Sequence, residues 1–169
     1  MPLEKPASLH STPRPADFVN RLWPHAAAAS RATGIAPGFM IGHAALESGW
    51  GRAEIRGSNG EPSYNLFGIK AGRGWNGAVI EATTTEYVNG VAQKSVEKFR
   101  AYASYAEAFK DYANLLGSNP RYAAVIDNGN DPAKFAAGLQ QAGYATDPMY
   151  ADKLNRILQG SALRQGLTG

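Results

Sequence analysis

The stretch Ala44-Ala45-Leu46-Glu47-Ser48-Gly49-Trp50-Gly51 is the place where an apolar segment ends on a carboxylate and two glycines break the chain. Apolar residues recur at helical spacing from Ile35 onwards, and Pro37 suits a first helical position, so the pattern predicts a largely buried helix. A carboxylate at a helix C-terminus is repelled by about 0.3–1 kcal/mol when exposed, and this repulsion raises its pKa. Because a general acid needs a proton near neutral pH, Glu47 is a candidate catalytic residue.

Length and composition predict one globular domain within the chain. The 169 residues are 44% hydrophobic, which is enough for a single core. Residues 1–15 are rich in proline and predict a linker or tail, residues 16–160 the domain, and residues 161–169 a C-terminal tail. No apolar stretch is long enough to cross a bilayer, so we expect no membrane insertion. The abrupt proline-rich start suggests a piece of a longer protein, and we expect a monomer.

The residue inventory excludes several kinds of chemistry. Cysteine is absent, which rules out disulfides, thiolate metal sites and a cysteine nucleophile. Only three histidines occur, and no phosphate loop or nucleophile elbow is present, so we expect no metal and no cofactor. The net charge of +3 comes from scattered basic residues, which argues against nucleic acid. His43 shares a helix face with Glu47, and packing or hydrogen bonding is the expected role rather than metal ligation.

A β-hairpin is predicted between two helical regions. Residues 79–102 contain two strand-like runs on either side of Asn89-Gly90, the strongest short hairpin signal. A two-residue turn would place Glu86 opposite Gln93. The sequence thus predicts helices, a β-rich insertion and helices again, with about six helices in all.

Proline and capping residues predict where the helices lie. Residues 16–33 have helical composition, but Pro24 should kink this helix or split it in two. Ser104 begins a capping box, and Asp131 and Asp147, each followed by proline, are expected as helix N-caps.

A second carboxylate is required if Glu47 acts in glycoside hydrolysis with an activated water. Glu86, near the tip of the hairpin, is one candidate. The properties of the residues alone do not separate it from the competing acids, which are Glu54, Glu61, Glu81 and Glu97.

Four stretches, in the same order, resemble the signature segments of glycoside hydrolase family 73. They are residues 44–51, Tyr64–Lys70, Thr84–Tyr87 and Ala142–Pro148. The resemblance covers roughly residues 16–160. It implies a lysozyme-like α+β fold, with a mainly helical lobe and a small β-hairpin lobe flanking a substrate groove. It also implies hydrolysis of the β-1,4 bond between N-acetylglucosamine and N-acetylmuramic acid in peptidoglycan glycan strands.

The same resemblance implies roles for individual residues. Glu47 matches the general acid, Glu86 the second carboxylate that acts as base or charge stabiliser, and Tyr144 the tyrosine near the cleft. This tyrosine would orient the water, hydrogen-bond Glu86 or support the substrate acetamide. The family pattern has glutamine where this chain has His43, which would alter the pH response of Glu47 without removing an essential group.

The resemblance further implies a biological setting. The family members that this chain resembles form the C-terminal domain of a longer exported protein. They open the cell wall locally during flagellar rod assembly. We therefore expect a periplasmic location, and flagellar rod proteins as partners through a separate N-terminal domain.

Aromatic residues in the loop region 49–77 are candidates for substrate binding. Flat apolar rings suit the faces of sugars, although such residues are more often core, so we expect only one or two to touch glycan. Asn65 would hydrogen-bond an acetamide or hold the loop. The candidate substrate-binding residues are Trp50, Tyr64, Asn65, Phe67 and Trp75.

Two other function classes stay open. A lytic transglycosylase would use Glu47 alone, without water, and would form an anhydro sugar. A non-catalytic module would bind peptidoglycan and release no reducing ends.

Overall fold

The computed structural model describes residues 14–168, which form a helical body carrying one β-hairpin. The predicted proline-rich segment 1–15 lies outside the described residues, apart from Arg14 and Pro15. A single turn of 3-10 helix spans Pro120–Tyr122. The helices and strands are α1 Pro15–Thr33, α2 Pro37–Ser48, β1 Val79–Val88, β2 Val91–Arg100, α3 Tyr105–Ser118, α4 Ala123–Asp127, α5 Pro132–Gln141, α6 Tyr150–Leu158 and α7 Ser161–Thr168.

Helix α2 runs through the centre of the core and ends, as predicted, just after Glu47. Its side chains from Met40 to Ala45 are buried on every face, because α1, α6 and α7 pack around it. Gly42 permits this packing, since a β-carbon there would lie 2.5 Å from a methyl group of Leu158. Gly49 ends the helix in the left-handed conformation, with a φ of 59°.

Helix α1 is continuous through Pro24, so of the two predicted alternatives, a kink or a split into two helices, the split does not occur. The helix buries one face against the core, and that packing keeps the segment together despite the lost backbone hydrogen bond. The residues of that face are Phe18, Val19, Leu22, Ala26 and Ala29.

The hairpin has the predicted register. Val88 pairs with Val91 and Glu86 pairs with Gln93. Asn89 and Gly90 both have positive φ, as a two-residue turn of this kind requires. This agreement follows from local chemistry, since the turn residues alone determine which strand residues face one another.

Two predicted chain ends differ in the structure. The segment 161–169, expected as a tail, forms helix α7 over Ser161–Thr168, and this helix packs against α1 with Leu163 buried. Asp147 is not a helix N-cap, because α6 begins only at Tyr150. Asp147 instead accepts a hydrogen bond from the Met149 amide. The other predicted cap, Asp131, does begin α5.

None of the helices in residues 14–168 combines the length and the apolar character needed to span a membrane.

Candidate active site

A cavity of about 1020 Å³ separates the helical body from the hairpin, and Glu47 and Glu86 both line it. Glu47 comes from the last turn of α2, and Glu86 comes from β1. Other lining residues include 53–56, 68–70, 81–85, 121–122, 143–147 and 150. The fold therefore brings together two carboxylates that are 39 positions apart in the chain.

Glu47 is largely enclosed, with 20% of its side chain exposed. The Tyr150 hydroxyl donates a hydrogen bond to Oε2. Oε1 lies beside Gly68, where a β-carbon would approach it to 2.7 Å. Gly68 also has a φ of 65°, so both its backbone and its missing side chain suit this contact.

The pKa of Glu47 is raised from 4.5 to about 7, chiefly because burial disfavours its charged form. The hydrogen bond from Tyr150 lowers the pKa, and the charge of Glu86 raises it. The raised pKa was expected from the helix end, but burial is the larger cause. Near neutral pH, Glu47 therefore holds a proton for a substantial fraction of the time.

His43 lies behind Glu47 and is fully buried. Its Nδ1 is 2.7 Å from the Tyr112 hydroxyl, and its Nε2 is 2.6 Å from the Tyr150 hydroxyl. Burial lowers the pKa of His43 to about 3, so the ring is neutral, and the 4.0 Å approach of Nε2 to Glu47 Oε2 is not an ion pair. His43 is therefore connected to Glu47 by hydrogen bonds through the Tyr150 hydroxyl. Within residues 14–168, no group of three or more His, Cys, Asp or Glu is placed to hold a metal ion.

Glu86 is held by contacts on both carboxylate oxygens. Lys70 Nζ lies 2.8 Å from Oε2, and the Thr146 hydroxyl donates to Oε1 at 2.9 Å. The same hydroxyl accepts a hydrogen bond from the Tyr87 amide at 2.9 Å. Thr146 thus connects the hairpin to the helical body across the cavity.

Tyr144 lines the cavity, as expected, but it does not hydrogen-bond Glu86. Its hydroxyl donates to the Phe67 carbonyl at 2.6 Å, and its ring packs edge-on against His43 at 4.5 Å between centroids. Thr146 makes the contact to Glu86 that Tyr144 was one candidate to make.

Two of the predicted substrate-binding residues are buried in the loop that supports the site. Asn65 donates to the carbonyls of Ile69 and Arg100 and accepts from the amides of Phe67 and Ile69, so it holds the loop and ties it to β2. Phe67 stacks on Tyr112 with centroids 3.7 Å apart. Both side chains are buried and neither is among the residues that line the cavity, so Asn65 has the loop-holding role that was one of its two predicted roles.

The other three predicted substrate-binding residues also lie away from the cavity lining. Each of these rings packs against an aromatic or cationic side chain of the protein. The ring contacts are Trp50 on Phe18, Tyr64 on Tyr105, and Trp75 on Arg100 and Tyr102.

Four residues of the site were missed by the sequence analysis. Lys70 and Thr146 lie inside quoted stretches, yet their residue types do not distinguish them from ordinary surface residues. Tyr112 has core spacing, and no pattern reveals the partner of its hydroxyl. Tyr150 follows Pro148 with no motif of its own.

Comparison with known proteins identifies the family. The sequence model for the family described as mannosyl-glycoprotein endo-beta-N-acetylglucosaminidase matches residues 23–163. The chain is 53% identical over 142 residues to the protein named peptidoglycan hydrolase FlgJ of Escherichia coli (strain K12), a match that covers 84% of this chain and 45% of that protein. The chain therefore spans about half the length of the curated relatives that it matches.

Solved structures give the same picture. A peptidoglycan hydrolase mutant from Sphingomonas sp. A1 matches with a TM-score of 0.86 and 54% identity, over 90% of this chain and 98% of that chain. The glycoside hydrolase domain of Salmonella typhimurium FlgJ matches with a TM-score of 0.70 and 44% identity, over 92% and 94% of the two chains. The helical body with its hairpin lobe is the expected lysozyme-like α+β fold. The chain thus belongs to the glucosaminidase family, glycoside hydrolase family 73.

Proposed function

We propose that this domain hydrolyses peptidoglycan glycan strands at the β-1,4 bond between N-acetylglucosamine and N-acetylmuramic acid, as an endo-β-N-acetylglucosaminidase. One observation carries the proposal: a carboxyl group that is protonated near neutral pH shares a cavity with a second carboxylate. The family description and the names of the relatives support the same choice of substrate.

Glu47 is proposed as the general acid. Its pKa of about 7 allows it to donate a proton to the leaving sugar oxygen and then to stay charged, with the Tyr150 hydroxyl stabilising the carboxylate.

Glu86 is proposed as the base to water, or as the charge that stabilises an oxocarbenium-like transition state. Its two oxygens are engaged by Lys70 and Thr146. Activation of a water would require one of these contacts to be exchanged, whereas charge stabilisation would not. Tyr144 donates its proton to the Phe67 carbonyl, so its oxygen is free to accept a hydrogen bond from water or from the substrate acetamide.

The cavity suits a saccharide. Its volume of about 1020 Å³ is at the upper end of the range of roughly 300–1,000 Å³ usual for small-molecule sites. Polar walls contributed by the two carboxylates, Lys70 and Thr146 offer hydrogen bonds to hydroxyl and acetamide groups.

The biological setting is proposed from the relatives. A domain of this kind, carried in the cell envelope by a longer exported protein, would open the periplasmic wall locally during flagellar rod assembly. Rod proteins would be contacted by a part of that protein other than this monomeric domain.

A lytic transglycosylase is the rival function that one observation favours, because both oxygens of Glu86 are already occupied. That reaction needs Glu47 alone and yields an anhydro sugar one water lighter. A non-catalytic wall-binding module is the second rival.

Mass spectrometry of wall digests tests all three. The parent protein should release fragments with N-acetylglucosamine at the new reducing end, with one oxygen taken from labelled water. Glu47→Gln should lose on the order of 10²–10⁴ in rate, the usual worth of general acid catalysis, and Glu86→Gln should also be strongly impaired. The matched control is Glu97→Gln, a change on the same hairpin outside the cavity lining, which should behave as the parent.

Each rival has its own outcome. Anhydro products, together with appreciable activity of Glu86→Gln, would establish the transglycosylase instead. Binding of glycan without any release of reducing ends by the parent would establish a binding module. N-acetylmuramic acid at the new reducing end would refute the proposed bond specificity.

A further inference from the structure

A buried chain of hydrogen bonds leads from α3 to the carboxyl group of Glu47. It runs from the Tyr112 hydroxyl to His43 Nδ1, from His43 Nε2 to the Tyr150 hydroxyl, and from that hydroxyl to Glu47 Oε2. Tyr112 and His43 are fully buried, and Tyr150 is 5% exposed. The three residues lie on three different helices, α3, α2 and α6, so only the folded domain assembles them.

We propose that Tyr112, His43 and Tyr150 form a positioning relay that commits Oε2 of Glu47 to accepting a hydrogen bond. The acid proton is then left on Oε1, beside the cavity-lining Gly68. This inference rests on the proposed function, because it assigns to Oε1 the proton that Glu47 would donate as general acid.

The direction of the relay follows from counting protons. A neutral imidazole has one N–H, and each tyrosine has one O–H. Since the Tyr150 proton goes to Glu47, the Tyr150 oxygen accepts from Nε2–H of His43. Nδ1 then carries no proton and accepts from the Tyr112 hydroxyl. Every donor in the chain has one acceptor.

The opposite direction leaves one group without a partner. If Oε2 carried the proton and donated to Tyr150, then Tyr150 would donate to Nε2 and His43 Nδ1–H would donate to Tyr112. The Tyr112 proton would need another acceptor, and His43 is its only hydrogen-bond partner in the described part of the chain. Leaving a buried donor unpaired carries a penalty, so the end of the relay farthest from the cavity determines its direction.

The surroundings of Glu47 show that the relay acts by hydrogen-bond direction rather than by titration. His43 stays neutral, because burial lowers its pKa to about 3, and burial raises the pKa of the tyrosines well above 10. In the described part of the chain, several titratable groups face Glu47 or its relay. They are Glu86 on β1 with its partner Lys70, His43 on α2, Tyr112 on α3, Tyr122 in the 3-10 turn, Tyr144 between α5 and α6, and Tyr150 on α6.

Tyr112→Phe is the decisive variant, because Tyr112 does not line the cavity. Without its hydroxyl, both directions of the relay leave one nitrogen of His43 unpaired, and Tyr150 donates to Glu47 for less of the time. The hydrogen bond from Tyr150 lowers the pKa of Glu47, so its loss raises that pKa. The alkaline limb of the pH profile of kcat/KM should therefore shift to higher pH by about 0.5–1 pH unit, with KM unchanged.

Two further variants sharpen the test. Tyr150→Phe removes the direct contact and should move the limb in the same direction, by more. His43→Gln retains a donor for Tyr150 and an acceptor for Tyr112. Because His43 is neutral, this variant should keep a pH profile close to that of the parent, contrary to the altered pH response expected from the sequence. His43→Leu retains neither group and should shift the limb.

Tyr102→Phe is the matched control. It also removes a tyrosine–carboxylate hydrogen bond, from Tyr102 to Asp111, but outside the cavity. It should lower the stability to urea and leave the pH limb in place. If Tyr112→Phe and Tyr150→Phe likewise leave the limb in place, the relay is refuted and these residues are structural only.

A titration followed by NMR of 13C-labelled carboxyl groups separates this inference from the proposed function. An upward move of the Glu47 midpoint in Tyr112→Phe supports the relay even if Glu47→Gln proves active and the acid role fails. An unmoved midpoint overturns the relay even if Glu47→Gln is inactive.

Discussion

Replacement of Glu47 by glutamine should stabilise the domain at alkaline pH while impairing its chemistry. In the folded state the pKa of Glu47 is raised from 4.5 to about 7. Between these two values the unfolded chain releases the proton and the folded chain keeps it, so the stability of the parent falls as the pH rises. The total loss is about 3 kcal/mol, since each pKa unit is worth about 1.4 kcal/mol. Glutamine avoids this loss and can still accept the hydrogen bond from Tyr150.

Urea unfolding of the parent and Glu47→Gln at pH 4, 6 and 8 measures the effect. Relative to its value at pH 4, the stability difference should favour the variant by about 3 kcal/mol at pH 8. Other titrating groups, His43 included, are shared by both proteins and cancel in the difference. A constant difference for Glu47→Gln would refute the argument that burial raises its pKa.

Three further predictions follow from contacts around the cavity. Glu86→Gln removes a charge that raises the pKa of Glu47, so the Glu47 midpoint in a 13C-carboxyl NMR titration should move to lower pH; an unchanged midpoint would count against this coupling. Gly68→Ala combines a φ of 65° with a 2.7 Å approach to Glu47 Oε1. It should cost about 1–3 kcal/mol in urea unfolding and lower the hydrolysis rate, and parental values of both would contradict the close contact. Thr146→Val removes the acceptor of the Tyr87 amide, whose hydrogen exchange should speed up by NMR; unchanged protection would show that Thr146 does not hold the hairpin.

Features set by neighbouring residues were predictable from the sequence. The turn at Asn89-Gly90 determines the hairpin register, including the pairing of Glu86 with Gln93. The glycine after Ser48 ends α2, which places Glu47 in its last turn. Asp131 caps a helix because its side chain reaches the Lys134 amide within the same turn.

Two other predictions from local patterns were wrong. Asp147-Pro148 resembles the start of α5, yet Asp147 is also paired with Lys153, and α6 begins only at Tyr150. The C-terminal segment, expected as a tail, is a helix because Leu163 finds a place in the core beside α1. The C-terminal helix depends on a core that is remote in sequence, whereas Asp147 is held by contacts within six residues of it.

The aromatic residues show the same limit at the cavity. Phe67 and Trp75 have large apolar rings that are expected to pack against something. From residue type alone, a sugar and a protein side chain are equally suitable partners. Only the fold decides between them: Phe67 stacks on Tyr112 and Trp75 packs against Arg100. Polar groups such as Thr146, which the sequence does not single out, line the cavity instead.

The sequence by itself determined the succession of helices, hairpin and helices, the hairpin register and an acidic residue at the end of a buried helix, because each depends on contacts within a few residues. Resemblance to a family, and not residue chemistry, singled out Glu86 from the other acids. The tertiary structure alone decided what surrounds Glu47. Its raised pKa comes mainly from burial, and its hydrogen-bond partners come from α6 and, through His43, from α3. These hydrogen bonds join residues 69 to 107 positions apart, and their geometry exists only once the helices have packed.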